Sequence, residues 1–309
     1  MFNKVKLKLG TRNSPLAMAQ AREARARLCA AHGWREREIE LVPVTASGDK
    51  VLDRPLAEIG GKALWTKELD QWLADGSIDA AVHSLKDVET IRPDFLAIAA
   101  VLPRADKADR LIGVESIAAL KPGAVIGTSA PRRSAQLLHL RPDCRVISLR
   151  GNVATRLAKL EAGEVDATFL AAAGLERLGM DDIGHRLDPA EWLPAPSQGA
   201  IAIECRRDDA RTQEWLEDID HAPSRAEVMA ERNLLEALGG TCHSAIAVNC
   251  DIRAGQLVMR AVLFSPDGSE RVEGAVRFTE DHDEAPARLA QDLLSRSSAV
   301  IRDHFNPSA

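Results

Sequence analysis

The sequence predicts an α/β protein: open, doubly wound sheets over the first two thirds, then a smaller α+β unit. Three observations carry this. Short apolar runs alternate with helix-period segments up to about residue 205, the mark of open sheets with helices on both faces. From His221 the pattern changes to one helix, three strand-like runs and a closing helix, which reads as an antiparallel sheet with helices. A chain of 309 residues that is 45% hydrophobic and 28% charged can bury several cores and divides into two or three domains.

Val5 to Leu9 alternates as a strand. Ser14 and Pro15 supply an N-cap and a first helical residue for the Ala-rich helix through Ala31, which Gly33 ends. Ile39 to Val44 is the next strand. Thr45 to Lys62, with Gly48, Gly60 and Gly61, is too long and irregular for a simple connection and is expected to be a lid. Helix Lys67 to Ala74, strand Ile78 to Val82 and the apolar run Phe95 to Leu102 complete this block.

The second block opens with strand Val125 to Gly127, whose loop Thr128 to Ala130 feeds a helix with Pro131 in its first turn. Strand Arg145 to Leu149 runs into Arg150 and Gly151, and Asn152 caps a helix ended by Gly163. Strand Ala167 to Ala171, a Pro-rich crossing segment from Pro189 to Pro196 and strand Ala200 to Cys205 follow. In the last unit Ser224 and Glu227 form a capping box for a helix reaching Leu238, which Gly239 and Gly240 stop. Strands Ala245 to Cys250, Leu257 to Phe264 and Arg271 to Phe278, with a turn at Pro266-Asp267-Gly268, precede one helix from Ala285 to His304.

Charge is placed unevenly. Forty basic against 46 acidic residues leave a net charge of -6, yet Arg132, Arg133, Arg150 and Arg156 fall within twenty-five residues, at expected strand ends and helix starts. A cation at a helix start opposes the dipole unless an anion is bound there, and ligands of open sheets bind outside the carboxyl ends of strands. Arg12, just after the first strand, joins the set. The ligand these positions imply is a small, multiply charged acid. The acidic balance, six Phe, five Trp and no Tyr argue against a nucleic-acid surface. No stretch approaches membrane-spanning length, and the lysines between Val5, Leu7 and Leu9 break any signal-like apolar run. Five scattered cysteines without a CxxC pair speak against disulfides or structural zinc and for the cytoplasm, and no metal is expected.

His83-Ser84-Leu85-Lys86-Asp87 follows a strand and contains every residue type of a hydrolytic triad, but there is no GxSxG elbow. Asp87 reads either as a carboxylate pointing into a cleft or as a solvated loop acid paired with Lys86. Cys242, after Gly239-Gly240-Thr241, reads either as a small buried hydrophobe or as an exposed thiol.

Taken in order along the chain, Thr11-Arg12-Asn13-Ser14-Pro15-Leu16, Gly60-Gly61-Lys62, His83 to Asp87, Gly127-Thr128-Ser129 with Arg132-Arg133, Leu149 to Asn152, Ser197-Gln198-Gly199 and Gly240-Thr241-Cys242 resemble the porphobilinogen deaminase family, also called hydroxymethylbilane synthases. The resemblance implies three domains: two lobes folded like type II periplasmic binding proteins, 1–102 with 198–220 and 103–197, and a C-terminal domain, 221–309. It implies a cytoplasmic, monomeric transferase of tetrapyrrole biosynthesis that joins four porphobilinogen molecules head to tail with release of ammonia, with neither nucleic acid nor membrane as partner. By the same resemblance Cys242 holds a dipyrromethane cofactor as a thioether, with Lys86, Asp87, Ser129, Arg132, Arg133 and Arg156 around it. Arg12, Ser14, Arg150, Arg156, Arg177 and Gln198 are expected at the substrate, and Asp87 as the catalytic group.

The chemistry agrees: each pyrrole carries an acetate and a propionate, so a growing chain needs a guanidinium-lined groove. Loss of ammonia leaves a cationic azafulvene, which an ionised carboxylate such as Asp87 would stabilise. Ala130-Pro131, Glu89, Trp65 and Ala245 depart from the family pattern of Ser-Leu, Pro, Phe and Pro, which touches loop geometry and removes no charged group. The rival is a noncatalytic small-anion-binding protein, since fold does not fix function; it leaves Cys242 without a task.

Overall fold

A computed structural model describes residues 5–45, 66–241, 243–282 and 284–305. The expected lid therefore lies, apart from Thr45, outside the described residues, as do Trp65 and Cys242. In chain order the main elements are β1 (Leu7–Arg12), α1 (Pro15–His32), β2 (Ile39–Val44), α2 (Lys67–Ala74), β3 (Ala80–Ser84), β4 (Leu96–Val101), β5 (Asp109–Ile112), β6 (Val125–Gly127), α3 (Pro131–Leu140), β7 (Arg145–Ile147), α4 (Val153–Glu161), β8 (Ala167–Ala171) and α5 (Ala172–Glu176). Then come β9 (His185–Arg186), β10 (Ile201–Arg206), α6 (Ala210–Glu217), α7 (Ala222–Ala237), β11 (Ile246–Arg253), β12 (Gln256–Phe264), β13 (Arg271–Phe278), α8 (Ala285–Arg296) and α9 (Ala299–Phe305). They form two compact units, Met1–Ala105 with Gly199–Arg225, and Asp106–Gln198 with Ala226–Ala309.

In the first unit the strand order is β2-β1-β3-β10-β4. β1, β2 and β3 run parallel, and β10 runs antiparallel between β3 and β4. α1 forms where its signals are: the Ser14 hydroxyl accepts from the Ala17 N–H, Pro15 opens the helix, and Gly33 closes it at φ 64°. Its small face, Ala21, Ala24 and Leu28, packs on Leu7 and Leu9 with Ile201 and Ile203. The opposite face of the sheet is covered from α2, where Leu69, Leu73, Ile78, Ala81 and Leu96 cluster. Gly10 lets that layer close, because a Cβ there would lie 2.9 Å from the Leu69 side chain. Helices on both faces make this sheet doubly wound, as the alternating pattern predicts.

The second unit repeats the plan in the order β7-β6-β8-β5-β9: parallel β6, β7 and β8, then antiparallel β5. Its core places Ile126, Leu137, Ala167 and Phe169 together, with Trp192 stacked on Phe169 at 4.9 Å. The same unit contains the three-stranded antiparallel sheet β11-β12-β13. Alternation along β12 sends Met259, Ala261 and Leu263 to a core shared with α7, α8 and α9, and Val262 and Phe264 to the other face, against Ala135 of α3 and Leu193.

Three local expectations differ. α7 begins two residues before the expected cap, because the His221 N–H bonds the Val101 carbonyl and His221 Nδ1 takes the Ser224 N–H; the Ser224 hydroxyl instead accepts from the Arg104 N–H. The closing helix is two helices. Ser297 is extended at ψ 148°, its hydroxyl bonds back to the Leu293 carbonyl, and the Ser298 hydroxyl accepts from the Ile301 N–H. Strand β5 was not expected at all: four residues headed by an acid, Asp109, carry too little periodicity to read.

Candidate active site

The carboxyl ends of β1 and β3 open on one small pocket of about 50 Å³, lined by Arg12, Ser14, Gln20, Ser84 and Asp87 among others. Arg12 is the last residue of β1 and Ser14 the cap of α1, so strand end and helix start present a cation and a hydroxyl side by side. After β3 the chain makes a single 3₁₀ turn, Leu85–Asp87. Leu85 is fully buried and its N–H bonds the Ala200 carbonyl, which pins the turn and leaves Lys86 and Asp87 half-buried. Gln20, 3% exposed, reaches from α1 to Ser84 at 2.7 Å.

Behind this wall lies a buried ionic network that sequence reasoning missed. His83 Nε2 stands 3.2 Å from Glu204, Arg92 donates to both oxygens of Glu204, and Arg92 is also paired with Asp70 and Glu89. Thr66, another pocket residue, donates its hydroxyl to Glu89. Burial alone would raise the Glu204 carboxyl; hydrogen bonding and charge from His83 and Arg92 override it and hold the group at about 2. Burial raises the Asp70 carboxyl, against the pull of Arg92. Glu204 falls within an apolar strand, so nothing local in the sequence signals that it is ionised there.

In the second unit the loops after the three parallel strands carry the expected anion-binding groups. Ser129, after β6, donates its hydroxyl to the Leu149 carbonyl and lies 3.0 Å from the Ser148 hydroxyl. Arg150 follows β7 and is half-buried. Asn152 caps α4 by accepting from the Thr155 N–H, and Arg156 in that helix donates Nε to the Gly151 carbonyl. Gly151 is required here, at φ 114° with a Cβ that would sit 2.7 Å from the Thr155 methyl group. Arg177 ends α5, which follows β8 directly.

Arg132 and Arg133 sit differently. They are 4% and 5% exposed, and each donates to Asp109 at 2.7 Å. Trp192 and Gln198 donate to the same carboxylate at 2.8 Å, and the arginines also bond the Leu193 and Phe169 carbonyls. Burial works against the Asp109 charge, and the two guanidinium groups outweigh it, holding the carboxyl far below its usual range. The anion that answers these helix-start arginines inside this unit is thus Asp109, a partner invisible in a one-dimensional pattern. Both Nε atoms are buried and make no hydrogen bond.

Cys242 lies outside the described residues; Thr241 and His243 on either side are exposed. Of the other cysteines, Cys205 is pushed up to about 12 by burial, which makes it inert as a nucleophile.

Two family models match. "Porphobilinogen deaminase, dipyromethane cofactor binding domain" covers residues 7–214, and "Porphobilinogen deaminase, C-terminal domain" covers residues 225–295. The porphobilinogen deaminase of Sphingopyxis alaskensis is 55% identical over 305 residues, 97% of this chain and 96% of that one. That of Paracoccus denitrificans is 46% identical over 302 residues, 96% of each. Among solved structures, a periplasmic substrate-binding protein of an ABC transporter from Coxiella burnetii is similar over 73% of this chain and 94% of its own, at 16% identity and a TM-score of 0.42.

Proposed function

Because this chain belongs to the porphobilinogen deaminase family, we propose that its strand-end groups bind and condense porphobilinogen, four molecules in line, to hydroxymethylbilane with release of ammonia. The observation that carries the reading at residue level is the pocket in which the Arg12 guanidinium and the Asp87 carboxylate meet a cluster of neutral hydrogen-bonding groups. A pyrrole that carries two carboxylates and becomes a ring cation as ammonia leaves needs both signs of charge within one ring's width.

The donor set fits the family's dipyrromethane. A hydroxyl at Ser129 and guanidinium groups at Arg150, Arg156 and Arg177 gather at the carboxyl ends of parallel strands, where a polycarboxylate finds charge-assisted donors. The Cys242 sulfur would hold the dipyrromethane, which would supply the pyrrole carbon on which the chain grows. Lys86 and Arg156 neutralise its carboxylates, while Arg12, Ser14, Arg150, Arg177 and Gln198 take those of the substrate. Arg132 and Arg133, tied to Asp109, fix the helix start behind Ser129 and lend positive potential to the cofactor. Asp87 accepts the pyrrole N–H and offsets the positive charge that develops as ammonia leaves, a preorganised electrostatic contribution.

Three domains, 1–102 with 198–220, 103–197 and 221–309, are our assignment, supported by three sheets with separate cores. We place the enzyme in the cytoplasm as a monomer, with no nucleic-acid or membrane partner; among the described residues no helix is long and apolar enough to cross a membrane. Intact-protein mass spectrometry tests the reading. The protein should carry a covalent excess of two pyrrole units that is lost in Cys242→Ser, and an unmodified, fully active protein overturns it.

A further inference from the structure

The aminomethyl group of the substrate has no partner in the assignment above, on which this inference rests. At neutral pH it is an ammonium with three N–H donors, and it needs acceptors. In the first unit's pocket the Ser14 hydroxyl accepts from the Ala17 N–H, the Thr66 hydroxyl donates to Glu89, and His83 Nε2 stands 3.2 Å from Glu204. Ser84 is different. It closes β3, three residues before Asp87, so its hydroxyl and the Asp87 carboxylate belong to one strand-end turn and line one pocket. Both amide atoms of Gln20 lie within reach of the same Ser84 oxygen, Nε2 at 2.7 Å and Oε1 at 3.1 Å. A hydroxyl offers one donor and two acceptor positions, so the oxygen keeps a lone pair whichever bond Gln20 makes.

We propose that Ser84 accepts a hydrogen bond from the substrate's aminomethyl ammonium and so determines specificity for an amine over a neutral leaving group, and that Gln20 is the positioning residue that fixes the Ser84 hydroxyl. The neutrality of this acceptor matters. When the C–N bond breaks, its electron pair leaves with nitrogen as ammonia and the positive charge stays on the ring, where Asp87 meets it. Ammonia then makes only an ordinary hydrogen bond to Ser84 in place of a charge-assisted one, and it is released. A carboxylate in place of Ser84 would hold the ammonium too well and compete with Asp87 for the ring cation.

The test compares porphobilinogen with its hydroxymethyl analogue, which has the same ring and loses water instead of ammonia, on holoenzyme whose covalent pyrroles are verified by mass. In Ser84→Ala, kcat/KM for porphobilinogen should fall about tenfold while that for the analogue changes less than about threefold, since charged hydrogen bonds lose more than neutral ones. Ser84→Thr, which keeps the hydroxyl, should restore the preference, and Gln20→Leu should lower it in the same direction as Ser84→Ala. Equal losses on both substrates, an unchanged preference, or a Ser84→Ala protein without its covalent pyrroles overturns the proposal. Wild-type protein that lacks the covalent pyrroles would defeat the family-level mechanism instead.

Discussion

Asp87 shows how one residue acquires a role from its backbone. The residue before its turn is a strand end, the Leu85 side chain is the anchor, and the carboxylate is left half-buried in a pocket with Arg12. Asp87→Asn keeps the shape and removes the charge. Turnover should fall about 10²- to 10³-fold, the usual cost of losing a preorganised electrostatic group. Thermal stability should stay within about 0.5 kcal/mol of wild type, because the site is not a core position. Single-turnover ammonia release measures the first; a normal rate removes Asp87 from the chemistry. Arg132 and Arg133 teach the converse. Their spacing gave reason to expect an external anion, and an internal one, Asp109, is what the fold brings to them. Two forks chelating one carboxylate make a rigid base for the Ser129 loop.

At the level of elements, the hairpin between β12 and β13 shows how the last sheet is fixed. Its turn residue Gly268 has φ 72°, and its carbonyl lies 3.0 Å from His139 Nδ1 on α3. A Cβ there would run into the Ala135 carbonyl oxygen and come within 2.8 Å of the His139 nitrogen. Backbone cannot yield as a side chain can. Gly268→Ala should therefore cost about 1 to 3 kcal/mol, read as a lower urea midpoint, whereas Gly123→Ala, with open space around its Cβ, tests the cost of positive φ alone. Equal midpoints for the two variants would show that the hairpin tip does not bear on α3. Helix ends were legible where a side chain caps locally, at Ser14 and Asn152, and misread at Ser224, where a histidine and a strand carbonyl set the start.

Across the whole molecule, stability is tied to pH through two buried carboxylates, one in each unit. Glu204 is held at about 2 against an ordinary 4.5, and Asp109 is held lower than its ordinary value as well. A carboxyl whose folded pKa is depressed stabilises fully above its unfolded pKa, and that contribution is lost as pH falls toward the folded one. These two groups should contribute no pH dependence between about 7 and 5 and should withdraw stability below about 4.5, Glu204 on the order of 3 kcal/mol at about 1.4 kcal/mol per unit. Calorimetry from pH 7 to 2.5 checks this. Glu204→Gln should melt lower at neutral pH with a flatter acid limb, and an unchanged limb would mean the network contributes nothing.

By itself the sequence determined the alternation of strands and helices, the caps of α1 and α4, the strand-end placement of Arg12, Asp87, Ser129 and Arg150, and the family. These rest on periodicity, capping and short ordered motifs, all of which act over a few residues. Only the tertiary structure decided that Asp109 closes on Arg132 and Arg133, that Glu204 and Arg92 lie behind the pocket wall, and that Gln20 meets Ser84 across 64 positions of chain. Buried charges choose partners by proximity in space, because desolvation leaves them no alternative, and proximity in space is what a linear pattern does not encode.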